Sequence, residues 1–332
     1  MSGRPRLRVH VKNNRAGEEV FRTTPARWRA ACRRHPAVAS RISATIDWDL
    51  DRFETSMRRA EALLTWDLPT DRLAAKAPRL KWIHVIGAGV EHLSPLDWLP
   101  PAVALTNNSG VHAAKAAEYL TMALLMLNAH LPKLMDDQRA RRWDPVFTGA
   151  IAGKTMAVVG VGRMGGVAAR CGKRLGLQVI GIRRRPRPAR HVDRMVGIEA
   201  LPQALSKADF VVAALPQTPA TAGLIDRRAI AAIKPGAGLI NIGRAGTIDQ
   251  PALVAALRAG RLSGAILDVF AREPLPRSDP LWRVPNLLLT PHISSDDADS
   301  YVPLTLDLFF DNLGRLLDGR RLRNRVDVRQ GY

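Results

Sequence analysis

Short apolar runs bounded by polar or glycine-rich turns recur through the first hundred residues. Residues 7–11, 42–46, 62–66, 80–86 and 103–106 read as strands. Between them, residues 25–35, 50–60 and 70–77 carry helical spacing, and Thr70 is placed to cap the last of these helices. Strand and helix in alternation argue for an open parallel sheet. Residues 113–130, AAKAAEYLTMALLMLNAH, predict a long helix that is apolar over most of its circumference. Such a helix belongs between layers or at a subunit contact. Lys115, Glu118 and Asn128 argue against a bilayer, and Pro132 is expected to end or kink the helix. Alternation then resumes, with strands at 156–159, 178–182, 210–214, 239–242, 265–269 and 287–290. A helix opens at Met164, another runs from Asp249 to Leu257, and a last one spans Tyr301–Leu317.

The strand at 156–159 runs into Gly160, Gly162 and Gly165, a G-x-G-x-x-G pattern followed by a helix and a second strand. In such a unit the first glycine makes the tight turn. The second lets backbone approach a pyrophosphate, and the third lets helix and strand pack closely. The helix that follows turns its free N–H groups and its positive dipole end toward the phosphates. These residues predict a dinucleotide site. A carboxylate about 20 residues further on usually binds the ribose hydroxyls of NAD. Here the second strand ends in Arg183, Arg184 and Arg185. Guanidinium groups suit a 2′-phosphate, so NADP(H) is favoured over NAD(H). The bland alternative is a solvated basic loop in an arginine-rich chain.

At 332 residues and 46% apolar composition the chain is long enough for about two domains with ordinary cores. The formal charge of +20 is spread along the chain rather than clustered with aromatics. That distribution, without helix-turn-helix or zinc-finger spacing, argues against a nucleic-acid partner. The start MSGRPRLRVHV has no apolar signal core, and no apolar run is long enough to span a bilayer. Cys32 and Cys171 make neither a disulfide framework nor a metal pair, so a reducing, cytoplasmic setting without a metal is expected.

Three polar residues follow strand ends: Arg244 after LINIG, Glu273 after LDVFAR and His292 after LLLTP. In open α/β sheets ligands bind beyond the carboxyl ends of strands. Arginine can hold a carboxylate through a two-pronged hydrogen bond. Histidine can give a proton to a carbonyl oxygen as hydride arrives, and a neighbouring carboxylate stabilises its charged form and orients the ring. The set suits reduction of a 2-oxo acid. Taken singly, each has an ordinary reading: a loop histidine, a surface turn at Glu273-Pro274, an ion-paired or capping arginine. His84, His112 and His130 lack the strand-end setting and are expected in core or surface roles.

Several stretches in the same order resemble the D-isomer-specific 2-hydroxyacid dehydrogenases over nearly the whole chain. They are LKWIHVIGAGVEHL, AVVGVGRMG, LPQTPATA, LINIGRAGTID, GAILDVFAREPLP and LTPHI. The closing Arg325-Val326-Asp327 with Gly331-Tyr332, and the arginines after the second strand, look most like the glyoxylate/hydroxypyruvate reductase branch. The resemblance implies two Rossmann-like or flavodoxin-like doubly wound parallel-sheet domains with the active site in the cleft between them. Residues 1–107 with 298–332 would form the substrate domain, and 108–297 the dinucleotide-binding domain. It implies Arg244, Glu273 and His292 as catalytic residues, with the amides of Ala88 and Gly89 joining Arg244 on the substrate carboxylate. Arg163 and Met164 would offer amides to the pyrophosphate. Leu215, Pro216, Ile242 and Gly243 would line the cofactor, with Asp268 on the nicotinamide amide. Members are commonly homodimers clasped through the long-helix region, and Trp143 lies where some relatives insert a tryptophan into a partner's site. Ala245 stands where the family usually has glycine, which is tolerable at negative φ. Ser294 and Ser295 replace smaller residues, within reach of nicotinamide or substrate.

The expected activity is NADPH-dependent reduction of glyoxylate, hydroxypyruvate or phenylpyruvate-like acids to the D-hydroxy acid. A dinucleotide-sensing or corepressor-like scaffold on the same fold is the alternative. Formate-type relatives carry glutamine at the glutamate position, so Glu273 argues against formate.

Overall fold

The near-continuous apolar runs become central strands of two parallel sheets, as strands buried on both faces should. The structure is a computed structural model and describes residues 6–331. Met1 to Pro5 of the N-terminal stretch, and Tyr332 of the closing Gly331-Tyr332 pair, lie outside the described residues. The chain divides into two units: one holds residues up to His112 together with Asp296 onward, the other holds Ala113–Ser295.

In the first unit, β1 (Leu7–Asn13), β2 (Ile42–Trp48), β3 (Ala62–Thr65), β4 (Trp82–Val85) and β5 (Ala104–Asn107) form a parallel sheet in the order β2-β1-β3-β4-β5. The order reverses between β1 and β3, the flavodoxin-like pattern. The helix Tyr301–Leu317 returns to this unit, where Leu306, Phe309, Phe310 and Leu313 pack with Val9, Val11, Leu64 and Trp82. Val326 then donates its amide to Leu105 O beside β5 (2.9 Å).

In the second unit, β6 (Thr155–Val159), β7 (Gln178–Ile182), β8 (Arg194–Val196), β9 (Phe210–Ala213), β10 (Gly238–Asn241), β11 (Gly264–Leu267) and β12 (Leu287–Leu289) form a seven-stranded parallel sheet. Its order is β12-β11-β10-β9-β6-β7-β8, so the winding reverses between β6 and β9. Alternate residues of β6 serve opposite faces. Met156 and Val158 pack with the helices Ala113–Asn128 and Arg163–Arg174, whereas Ala157 and Val159 pack with the helices on the other side. The long helix buries a stripe of Ala116, Tyr119, Leu120, Ala123, Leu124 and Leu127 and leaves Met122 and Leu125 more than two-fifths exposed. Among the described residues no helix is long and apolar enough to cross a membrane.

Local expectations fail where turn chemistry outweighs periodicity. Only Phe53–Met57 is helical within 50–60, because Arg15 pins the preceding turn through the carboxylates of Asp49 and Asp51. Thr70 caps nothing: its carbonyl accepts the Leu73 amide in a turn (3.3 Å), and the short helix Leu73–Lys76 starts behind Arg72, at φ 48°. Pro132 opens a second helix, Leu131–Arg139, rather than simply ending the first. Asp249 caps Gln250–Arg258 as expected, accepting the Ala252 amide at 2.9 Å.

Candidate active site

The glycine loop between β6 and the helix Arg163–Arg174 lies at the reversal point of the second sheet, where such sheets bind ligands. Gly160 has φ +94°, and a Cβ there would lie 2.7 Å from Leu215 Cδ2. A Cβ on Gly165 would lie 1.9 Å from Gly160 O, so helix and loop touch backbone to backbone. Gly162 differs: a Cβ there would meet nothing within 4 Å. The second glycine therefore faces open space that no protein packing requires. Gly162 is also the N-cap, without a side-chain cap. The first helical bond runs from Gly166 N to Gly162 O (2.9 Å), so the amides of Arg163, Met164 and Gly165 precede it. These features fit a dinucleotide pyrophosphate.

Around this loop the strand ends converge. Gly243 follows β10 so closely beside Leu215 that a Cβ would lie 2.6 Å from Leu215 N and O. Pro216 is fixed by its carbonyl, which accepts from Thr221 Oγ1 (2.6 Å), and Ile242 is buried on the Met156 side of the sheet. Beyond β7, Arg183 is half-buried and Arg184, Arg185, Arg187 and Arg190 are exposed. No carboxylate occurs between 183 and 192, and Asp193 is taken by Lys173 and by the Val179 amide.

His292 and Glu273 meet within the same unit. His292 Nδ1 lies 2.7 Å from Glu273 Oε2, and the other oxygen of Glu273 accepts the Phe270 amide (2.8 Å). A carboxylate only accepts, so Nδ1 carries the proton in this pair and Nε2 is the ring nitrogen left for chemistry. The His292 side chain is 44% exposed, so that nitrogen can meet a ligand.

Arg244 follows β10, its carbonyl held by Asn241 Nδ2 (3.2 Å) and Thr247 Oγ1 (2.7 Å). Its Nη1 donates to Gly243 O (2.8 Å). Ala245 is not among the residues with positive φ, so its methyl group is accommodated.

Asp268 has a task that spacing did not reveal. It is fully buried, and its carboxylate accepts Thr290 Oγ1 (2.6 Å) and the amides of Ile293 and Ser294 (2.9 Å each). Beside the nicotinamide contact that the resemblance implies, Asp268 holds the loop that carries His292. Tyr119, on the long helix, extends this cluster with its hydroxyl 2.6 Å from Thr290 Oγ1. Neither Tyr119 nor Thr290 stood out in the sequence. The available signal was a phenol on the buried stripe of an apolar helix, since a buried tyrosine hydroxyl usually has a partner.

In the first unit, Ala88 and Gly89 follow β4. Ala88 is exposed, and its carbonyl accepts from Asn107 Nδ2 (2.8 Å). Trp66 lies flat on His92 (ring centroids 4.1 Å, 6°) against Gly87. His84 is a satisfied core residue, bonded to Thr106 Oγ1 (2.7 Å) and Asn108 Oδ1 (2.9 Å), and burial pushes its pKa down to about 4. His112 is buried and stacks on Tyr301 (3.9 Å). Trp143 is 97% exposed. Among the described residues no cluster of histidine, cysteine and carboxylates could hold a metal.

Comparison with known proteins gives one result. The family model described as "D-isomer specific 2-hydroxyacid dehydrogenase, NAD binding domain" matches residues 121–294. A D-3-phosphoglycerate dehydrogenase of Mycobacterium tuberculosis is 33% identical over 256 residues, 76% of this chain and 48% of that protein. The chain thus spans about half the length of such curated relatives. A solved D-isomer-specific 2-hydroxyacid dehydrogenase from Xanthobacter autotrophicus Py2, in complex with NADPH and MES, is 30% identical with TM-score 0.82, covering 98% of this chain and 99% of that one. An NADPH-dependent glyoxylate/hydroxypyruvate reductase from Sinorhizobium meliloti, solved with NADP and sulfate, is 26% identical with TM-score 0.81, covering 98% and 100%.

Proposed function

This chain belongs to the D-isomer-specific 2-hydroxyacid dehydrogenase family, and on that premise we propose that it reduces small 2-oxo acids to D-2-hydroxy acids with NADPH. The observation that carries this reading is the His292–Glu273 pair at 2.7 Å, built on the same sheet as the glycine loop. The second unit is the dinucleotide-binding domain and the first supplies substrate contacts. The arginines after β7 and the absence of a carboxylate there support NADP(H), as do the NADPH and NADP named for the two solved relatives. The name of the Sinorhizobium enzyme supports glyoxylate and hydroxypyruvate as the substrate class.

The pyrophosphate is held by the backbone of Gly162, Arg163 and Met164, and the 2′-phosphate by Arg183 and Arg184. Leu215, Pro216, Ile242 and Gly243 shape the nicotinamide end, with Ser294 beside it. Bound there, the nicotinamide supplies the hydride. Arg244 grips the substrate carboxylate through its guanidinium fork, and within the first unit the amides of Ala88 and Gly89 are the candidates for a substrate contact. His292 Nε2 delivers a proton to the carbonyl oxygen as it gains negative charge. Glu273 keeps Nδ1 protonated and the ring aimed, and it stabilises the imidazolium before transfer. In the reverse direction the same nitrogen removes the hydroxyl proton.

His292→Ala tests this assignment. Turnover should fall by about 10²–10⁴-fold, the usual worth of a positioned acid, while NADPH binding measured by fluorescence changes little. A variant with wild-type turnover removes His292 from the mechanism.

A further inference from the structure

His292 sits at φ +55°, a left-handed conformation that crowds the Cβ of a non-glycine residue against the backbone. Such a conformation persists only where the surroundings over-determine it. Here they do so from both sides. Before the ring, His292 donates its own amide to Thr290 O (2.9 Å). After it, the amides of Ile293 and Ser294 both run to the buried carboxylate of Asp268. Thr290 Oγ1 also donates to Asp268 (2.6 Å), closing a ring of bonds around the histidine backbone.

This ring is anchored outside the loop. A hydroxyl carries a single hydrogen. Thr290 gives its hydrogen to Asp268, so in the 2.6 Å contact with Tyr119 the phenol is the donor. Burial raises the phenol's pKa above its ordinary value, against a smaller lowering by the Thr290 bond, and the Asp268 charge adds a slight further rise. The phenol therefore keeps its hydrogen across the working pH range. Tyr119 itself is 7% exposed on the long helix, packed with Leu120, Ala123 and Leu124.

We propose that Tyr119, Thr290 and Asp268 form a positioning chain, running from the long helix to the His292 loop, that holds the histidine backbone left-handed and its ring beside Glu273. The inference rests on the function assigned above. Tyr119 and Thr290 act through His292, as positioning residues. The hydrogen-bond order runs from phenol to hydroxyl to carboxylate, and the carboxylate fixes the two amides that follow His292.

Thr290→Val and Thr290→Ser, assayed in the full chain, separate this role from general packing. Valine keeps the shape and loses both bonds; serine keeps the hydroxyl. Thr290→Val should lower kcat about tenfold, in line with small misplacements of catalytic groups. Its KM and its NADPH Kd should stay within about twofold. Amide hydrogen exchange at Ile293 and Ser294 should quicken. Thr290→Ser should restore kcat and protection, and Tyr119→Phe should shift both in the valine direction by about threefold. An unchanged kcat in Thr290→Val overturns the chain. So does a kcat loss matched by an equal loss of NADPH affinity, which would tie these residues to the cofactor rather than the histidine. If Thr290→Val does not fold, Tyr119→Phe decides on the same readouts. Should the wild-type chain reduce no 2-oxo acid, the functional reading fails on its own. Amide exchange at Ile293 and Ser294 then still decides the chain: unaltered protection in both variants rejects it.

Discussion

Arg244 and His292 are asked for different chemistry, and the difference is measurable. A guanidinium presents a rigid planar fork that matches a carboxylate, whereas an ammonium is a point charge on a flexible stem. Arg244→Lys should therefore raise KM for the 2-oxo acid by about tenfold or more and slow turnover as well. Unchanged constants would rule out the carboxylate grip. Both residues stood out in the sequence because each lies three residues past an apolar strand, and Glu273 because it lies six past another. Asp268 was legible as a site residue but not in its task. The family resemblance set it near the nicotinamide, and only the structure shows its oxygens occupied by the loop that follows the next strand. The left-handed backbone of His292 was also hidden, since nothing in Thr-Pro-His-Ile announces a positive φ.

At the level of elements, the glycine loop allows a contrast within one motif. Gly162→Ala adds a methyl group that meets nothing in the protein, whereas Gly165→Ala would set one 1.9 Å from Gly160 O. The first should keep the melting temperature within about a degree and weaken NADPH binding about tenfold. The second should lower stability by about 2 kcal/mol or more, because backbone rather than a flexible side chain must yield. Thermal melts and fluorescence titrations of the pair check this. Equal losses of stability would deny that Gly162 faces a ligand. This motif was readable because strand, turn and helix agree at every level. Thr70 was misread because a threonine before a polar stretch caps a helix only if the helix begins there, and the left-handed Arg72 moves the start past it. The strand β8 escaped notice because Arg194–Val196 is a short edge segment without an apolar run. Pro132 was ambiguous in principle, since proline ends one helix and suits the first turn of the next.

For the whole molecule, three buried histidines make the first unit sensitive to acid. His10, His84 and His112 have pKa values pushed down to about 4, each chiefly by burial. Unfolding lets each return toward its ordinary value of 6.5. Between these values the unfolded chain binds more protons, so stability falls as pH drops from 6.5 towards 4 and is insensitive to these groups above 6.5. The fully buried His84 alone contributes on the order of 1 kcal/mol per pH unit in that window. Melting curves should thus be level near neutrality and decline below pH 6.5, less steeply in His84→Gln. An identical acid slope in that variant would remove His84 from the account.

The central claim is hydride transfer from NADPH to a 2-oxo acid, and the most direct measurement is steady-state oxidation of NADPH and of NADH by the purified chain. The panel should hold glyoxylate, hydroxypyruvate, pyruvate, phenylpyruvate and 3-phosphohydroxypyruvate. The last is the oxidised form of the substrate named for the phosphoglycerate relatives. The account predicts turnover with NADPH, preferred over NADH, on glyoxylate or hydroxypyruvate. Tight NADPH binding without turnover of any acid would contradict it, and equal use of NADH would contradict the role given to Arg183 and Arg184.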